Sequence, residues 1–130
     1  MATTSETWFE RVMWVGICAN VALALPTLLW PAEMLAFSRL PAAIPLVWVR
    51  FSSLLLILLS SFYVPAALDC RRARVNAWLA TAARLAGVIF FACQAREYWL
   101  FGAFDFAFFL PQALLLRSAG RVSVSYLGTP

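Results

Sequence analysis

The chain has 130 residues, 64% of them hydrophobic and 12% charged, with a formal net charge of +4 and a mean hydropathy of +0.84. A soluble domain carries about 25% charged residues, so these side chains cannot cover a water-facing surface, and disorder is excluded because it needs low hydrophobicity. The length allows one domain, and the composition is that of an integral membrane protein.

Four stretches approach the ~20 mostly apolar residues that a spanning helix needs, at about 12–30, 45–68, 77–95 and 99–116. The first runs from Val12 to Trp30. Its Ala22-Leu23-Ala24 resembles a signal-peptidase site, but the apolar run continues to Trp30 and Glu6 and Glu10 dilute the basic N-terminal region, so it reads as a retained helix. Residues 31–41 enclose Met34-Leu35-Ala36-Phe37 between polar positions, which reads as a short helix along the membrane interface or, alternatively, as a loop folded over the mouth of a bundle. A charged segment, 69–76, separates the second and third spans, and the tight Arg96-Glu97-Tyr98 turn leads into the fourth. Pro26 and Pro111, inside the first and fourth spans, each remove a backbone hydrogen bond and are expected to kink their helices.

Connections this short force sequence neighbours to run antiparallel. The expected fold is therefore all-α, an up-down bundle of four transmembrane helices within residues 1–117. A polar tail, 118–130, follows, with Val122–Tyr126 as a candidate extended stretch. Tryptophan and tyrosine favour the headgroup level, and Trp8, Trp14, Trp30, Trp48, Tyr63, Trp78, Tyr98 and Trp99 all fall near span ends. The face with both termini and the 69–76 segment carries six arginines, Arg11, Arg71, Arg72, Arg74, Arg117 and Arg121. The other face carries Arg39 and Arg96, joined by Arg50 if it snorkels outward. That excess predicts both termini in the cytoplasm of a bacterial-type inner membrane.

The sequence has no histidine, and all ten basic residues are arginine. The usual axial haem ligand, the commonest zinc and copper ligand and the near-neutral proton shuttle are thus missing, as is a Schiff-base lysine. No metal site or cofactor is expected. Cys18, Cys70 and Cys93 form no CxxC; Cys18 and Cys93 read as small hydrophobes, while Arg71 and Arg72 beside Cys70 suggest a lowered thiol pKa. The basic residues follow the membrane edges rather than gathering on one soluble face, so nucleic acid is not an expected partner. No phosphate loop, paired carboxylates or nucleophile elbow is present, and no enzymatic activity is expected.

Four polar residues interrupt the spans: Asn20, Arg50, Arg84 and Asp105. Charge at bilayer depth costs a few kcal/mol on insertion scales, so it normally faces the bundle interior and is paired. From the helical rise, Asn20 lies about 13 Å, Arg84 about 12 Å and Asp105 about 18 Å from the cytoplasmic face, with Arg50 about 7 Å below the opposite one. Arg84 is level with Asn20 and within reach of Asp105, and Arg50 is nearly level with Asp105, so one aspartate faces two arginines. The constellation reads as a salt-bridge clamp that fixes register, as an ion pathway, or as a pocket for an amphipathic molecule. Phe101, Asp105 and Phe108 share a face by i, i+4 and i+7 spacing, followed by Gln112, with Phe104 bordering and Phe106 and Phe109 directed elsewhere. Ala80, Ala83, Ala86 and Gly87 flank Arg84 with small side chains that allow close helix contact, which makes the third span the expected most buried one. Arg71, Arg72 and Arg74 are placed to meet anionic lipid headgroups, at about 1 kcal/mol each.

A first span closing in Trp30-Pro31-Ala32-Glu33, a Leu40-Pro41 linker, Arg50 early in the second span, an arginine-rich loop and Arg84 in the third resemble the small DoxX-like four-helix membrane proteins of bacteria, over most of residues 8–116. The resemblance is architectural, and it implies an accessory or anchor role beside membrane redox complexes that deliver electrons to quinone; no catalytic residue carries over. Two functions are expected from this reading. One is a non-catalytic subunit of an inner-membrane, redox-linked complex, with membrane lipids and other subunits as partners. The other is a stand-alone binder or carrier of a quinone or lipid around Arg84 and Asp105.

Overall fold

A computed structural model of the chain describes residues 4–125, with side chains through residue 119. Helix α1 spans Thr4–Leu29, α2 Pro31–Phe37, α3 Val47–Leu68, α4 Arg74–Ala92 and α5 Trp99–Ser125, with a 3-10 turn at Arg96–Tyr98 before α5. No strand occurs among the described residues. Four helices are long and apolar enough to cross a membrane.

Helix α1 starts eight residues before the expected Val12, at Thr4. Glu6 in the first turn complements the positive helix N-terminus, and Glu6, Phe9, Met13, Gly16, Ile17, Asn20 and Ala24 form one buried stripe at helical spacing. The polar start is helical because that stripe continues through it. Helix α5 also outruns its expected end, because Leu116 and Ala119 extend its buried face beyond the last apolar run. Val122–Ser125 is therefore helical rather than extended, and Tyr126 and the rest of the tail lie outside the described residues.

Around the bundle, α1 packs against α3 and α5, and α4 against α5 and α3. This places α1 diagonally opposite α4, and α3 opposite α5. The third span is not the most buried. Helices α1 and α3 bury more of their length than α4, which turns Trp78, Leu79, Ile89 and Phe90 outward. Helices α1, α3 and α5 continue through Pro26, Pro65 and Pro111 respectively. Two tryptophans near helix ends carry an arginine over their rings, Arg11 on Trp8 at 5.2 Å and Arg96 on Trp99 at 5.6 Å.

The two ends of the bundle differ. At the end holding the α3–α4 connection, Phe9, Met13, Ile17, Tyr63, Ala66, Ala67, Cys70, Ala77, Ala80 and Leu116 form a closed core. Asp69 Oδ1 accepts from the backbone N–H groups of Arg71 and Arg72, both at 3.0 Å, and shapes the turn. Helix α1 ties it down: Glu10 accepts from the Cys70 N–H at 3.1 Å, and Arg71 Nε donates to Glu6 at 2.8 Å. At the other end α2 packs on α1, and Arg39 turns the chain through a left-handed conformation, φ 56°, before α3. Pro31–Phe37 is helical, and its Met34 and Leu35 lie over the space between α1 and α3.

Candidate functional site

Arg84 projects from α4 across the bundle toward α1. Its Nη1 donates to Asp105 Oδ1 of α5 at 2.7 Å, and its Nη2 donates to Asn20 Oδ1 at 3.0 Å and to the Gly16 carbonyl at 3.4 Å. Asn20 Nδ2 donates on to Ser60 Oγ of α3 at 2.9 Å, and Ser60 donates to the Leu56 carbonyl at 2.8 Å. One polar layer thus joins all four long helices. The guanidinium also lies 5.0 Å from the Phe108 ring and 5.6 Å from the Phe104 ring, within cation–π range.

Two glycines make room for this layer. A Cβ on Gly87 would overlap the Asp105 carboxylate, and one on Gly16 would sit 3.3 Å from both Arg84 Nη2 and Phe108. The ion pair is balanced in charge and uneven in exposure. The Arg84 side chain is 5% accessible, whereas the Asp105 side chain keeps 17%. Arg84 Nε and Gln112 Oε1 are buried without a partner among the described residues.

The sequence-derived candidates separate into groups. Arg84, Asp105 and Asn20 meet, Phe108 stacks on them, and Gln112 is buried farther along α5. Arg50 does not join: it is exposed in the first turn of α3 and makes no ion pair among the described residues. Equal depth misled here, because α3 and α5 are diagonal neighbours and the Asp105 carboxylate turns toward α4. Phe101 faces Phe91, 5.5 Å between ring centroids, and Phe104, expected only to border this face, lies against the guanidinium. Arg71 is bridged to Glu6, while Arg72 and Arg74 are exposed and form no ion pair among the described residues. Ser60, the link to α3, was not singled out from sequence; a serine at the level of Asn20 on a neighbouring span was the available signal.

A second feature adjoins this layer. Under α2 lies a cavity of about 300 Å³, bounded by Leu23, Ala24 and Thr27 of α1, Val49, Ser53 and Leu56 of α3, and Phe91 and Phe101. Met34, Leu35, Ser38 and Leu40 roof it. Each wall is one turn from the polar layer, about 5.4 Å along the helix: Ala24 from Asn20, Leu56 from Ser60, Phe91 from Gly87, and Phe101 from Asp105. The polar layer thus lies about one helical turn below the lining residues.

Comparisons with protein families, with curated proteins and with solved structures find no match to this chain. Among the described residues, no group of three His, Cys, Asp or Glu side chains is placed to hold a metal.

Cys70 departs from expectation. Burial, then the carboxylates of Glu10 and Glu6, push its thiol up to about 11, overriding the lowering by Arg71. A thiol raised this far is neutral at pH 8, and only the thiolate attacks. In a C18S/C93S background, Cys70 is expected to resist maleimide at pH 8 in the folded protein and to react within minutes once SDS unfolds it. The sign of the linkage is that stability from the neutral thiol is complete below the unfolded thiol value and is lost as pH rises toward 11. Rapid labelling of the folded protein at pH 8 would refute this assignment.

Proposed function

We propose that this chain is a multi-pass protein of a bacterial inner membrane, with both termini cytoplasmic, that holds an amphipathic small molecule such as a quinone or lipid segment within the bundle. The observation that carries this reading is the apolar cleft of about 300 Å³ under α2, one helical turn from the Arg84–Asp105 pair. Small-molecule sites begin near 300 Å³ with mostly apolar walls. The volume suits one ring or a short chain segment, with the remainder of the molecule leaving through the mouth under α2.

The arginine excess on the face of the 69–73 turn supports the orientation, which puts the cavity in the half of the bilayer away from the cytoplasm. The alternative of a non-catalytic subunit in a redox-linked complex has less behind it, because outward aromatics such as Phe62, Phe90 and Phe106 are what lipid alone requires.

The test is occupancy. Protein purified in mild detergent is expected to carry a near-stoichiometric amphipathic molecule, detected by native mass spectrometry and identified after organic extraction. Ala24→Leu, at a wall position 1% exposed, fills the space and is expected to cut occupancy tenfold or more while the fold is kept. Equal retention by wild type and A24L sinks the reading, as does a stoichiometric partner protein with an empty cavity.

A further inference from the structure

We infer that the occupant of this cavity is bound through a hydroxyl that it donates, so that the site takes alcohols and phenols, including the reduced form of a quinone, in preference to their ether or carbonyl counterparts. The inference rests on the cavity being a ligand site and adds the polarity of the group recognised.

The argument is a count of donors. A serine or threonine hydroxyl offers one hydrogen and two lone pairs. Three lining hydroxyls have already given their hydrogen to their own helices: Thr27 to the Leu23 carbonyl at 2.7 Å, Ser53 to the Val49 carbonyl at 2.9 Å and Ser52 to the Trp48 carbonyl at 2.9 Å. What they have left for a ligand is lone pairs. Ser53, 5% exposed, is the buried one of the three. Only Ser38 on the roof keeps a hydroxyl free of hydrogen bonds among the described residues.

A ligand hydroxyl at the inner end finds acceptors on α1 and α3. An ether or carbonyl oxygen set against Thr27 and Ser53 meets only their lone pairs and is left unpaired after losing its water, which is the arrangement that sites use to discriminate.

The experiment compares two probes of nearly equal shape, 4-octylphenol and its methyl ether 4-octylanisole, titrated by calorimetry into the full chain in nanodiscs. The phenol is expected to bind about three- to tenfold more tightly, the value of one neutral hydrogen bond. In S53A/T27V the preference is expected to fall to near unity through loss of phenol affinity, with a retained cooperative melt showing the bundle intact. Equal binding of both probes to wild type, or a preference that survives S53A/T27V, overturns the inference and leaves the cavity reading standing. Should neither probe bind, the cavity reading itself falls, and the inference with it. If the double variant fails to fold, S53A and T27V singly carry the same comparison.

Discussion

Asp105→Asn is expected to destabilise the bundle by on the order of 3–5 kcal/mol, the cost of leaving one member of a buried ion pair alone. Two effects compete in setting that size. Hydrogen bonds between membrane helices average only about 0.6 kcal/mol, because the unfolded segments find other partners. An unpaired guanidinium has no such escape: Arg84 is 5% accessible and its remaining neighbours are an amide, a backbone carbonyl and two aromatic rings. The charge term wins. Asn20→Ala, which removes one hydrogen bond to the guanidinium and one to Ser60 but leaves the ion pair in place, is accordingly expected to cost about 1–2 kcal/mol. The double variant R84M/D105L removes both charges and is expected to recover most of the loss, giving a coupling of several kcal/mol in a double-mutant cycle. SDS-driven unfolding in mixed micelles, followed by tryptophan fluorescence, measures these proteins together with R84M and D105L singly, which close the cycle. A loss under 1 kcal/mol in D105N would show that the pair is not the clamp described.

Gly87→Ala is the second large effect, and its sign is the informative part. Alanine is favoured over glycine inside a helix by roughly 1 kcal/mol, so at an open position the change stabilises. At position 87 the added carbon falls on the Asp105 carboxylate. Either α4 and α5 separate or the carboxylate leaves Arg84. Overpacking costs about 1–3 kcal/mol, and displacement of Asp105 adds part of the ion-pair loss, so a net destabilisation of about 2–4 kcal/mol is expected. Gly16→Ala, where the nearest atoms at 3.3 Å are side-chain ends, is expected to be milder. Thermal melting of the detergent-solubilised proteins separates the three. A G87A protein that melts above wild type would mean the helices are not this close.

Much of the bundle was legible in the sequence because membrane spans are written in composition. The runs around residues 12–30 and 45–68 need no tertiary knowledge, only the demand that lipid makes on every backbone group. The helix ends were harder. Thr4–Arg11 and Arg117–Ser125 are polar enough to read as flanks, yet both are helical: in α1 a buried stripe continues through Glu6 and Phe9, and in α5 Ala119 is still buried. The cluster around Arg84 was legible by height along the helices, which 1.5 Å per residue supplies. Azimuth was not, and for that reason Arg50 was placed with Asp105 although their helices sit diagonally across the bundle. The same gap separates Phe101 from Phe104: spacing puts both near Asp105, and only the path of the Arg84 side chain decides which ring it meets. The cavity left no mark in the sequence. It exists because α2 folds back over α1 and α3, a long-range arrangement that no local pattern in residues 31–46 encodes.

The Arg84–Asp105 pair also bears on how the chain enters a membrane. Helix α4 is the least apolar of the four spans, and an arginine near its centre adds about 2.5–3.5 kcal/mol to crossing alone. Its counter-charge is 21 residues downstream, across the short link of residues 93–98. Insertion one helix at a time would strand a cation and then an anion in hydrocarbon, whereas a hairpin delivers them already neutralised. On the membrane reading proposed above, the two helices are expected to enter as one hairpin, with Gly87 giving the carboxylate room to close on the guanidinium.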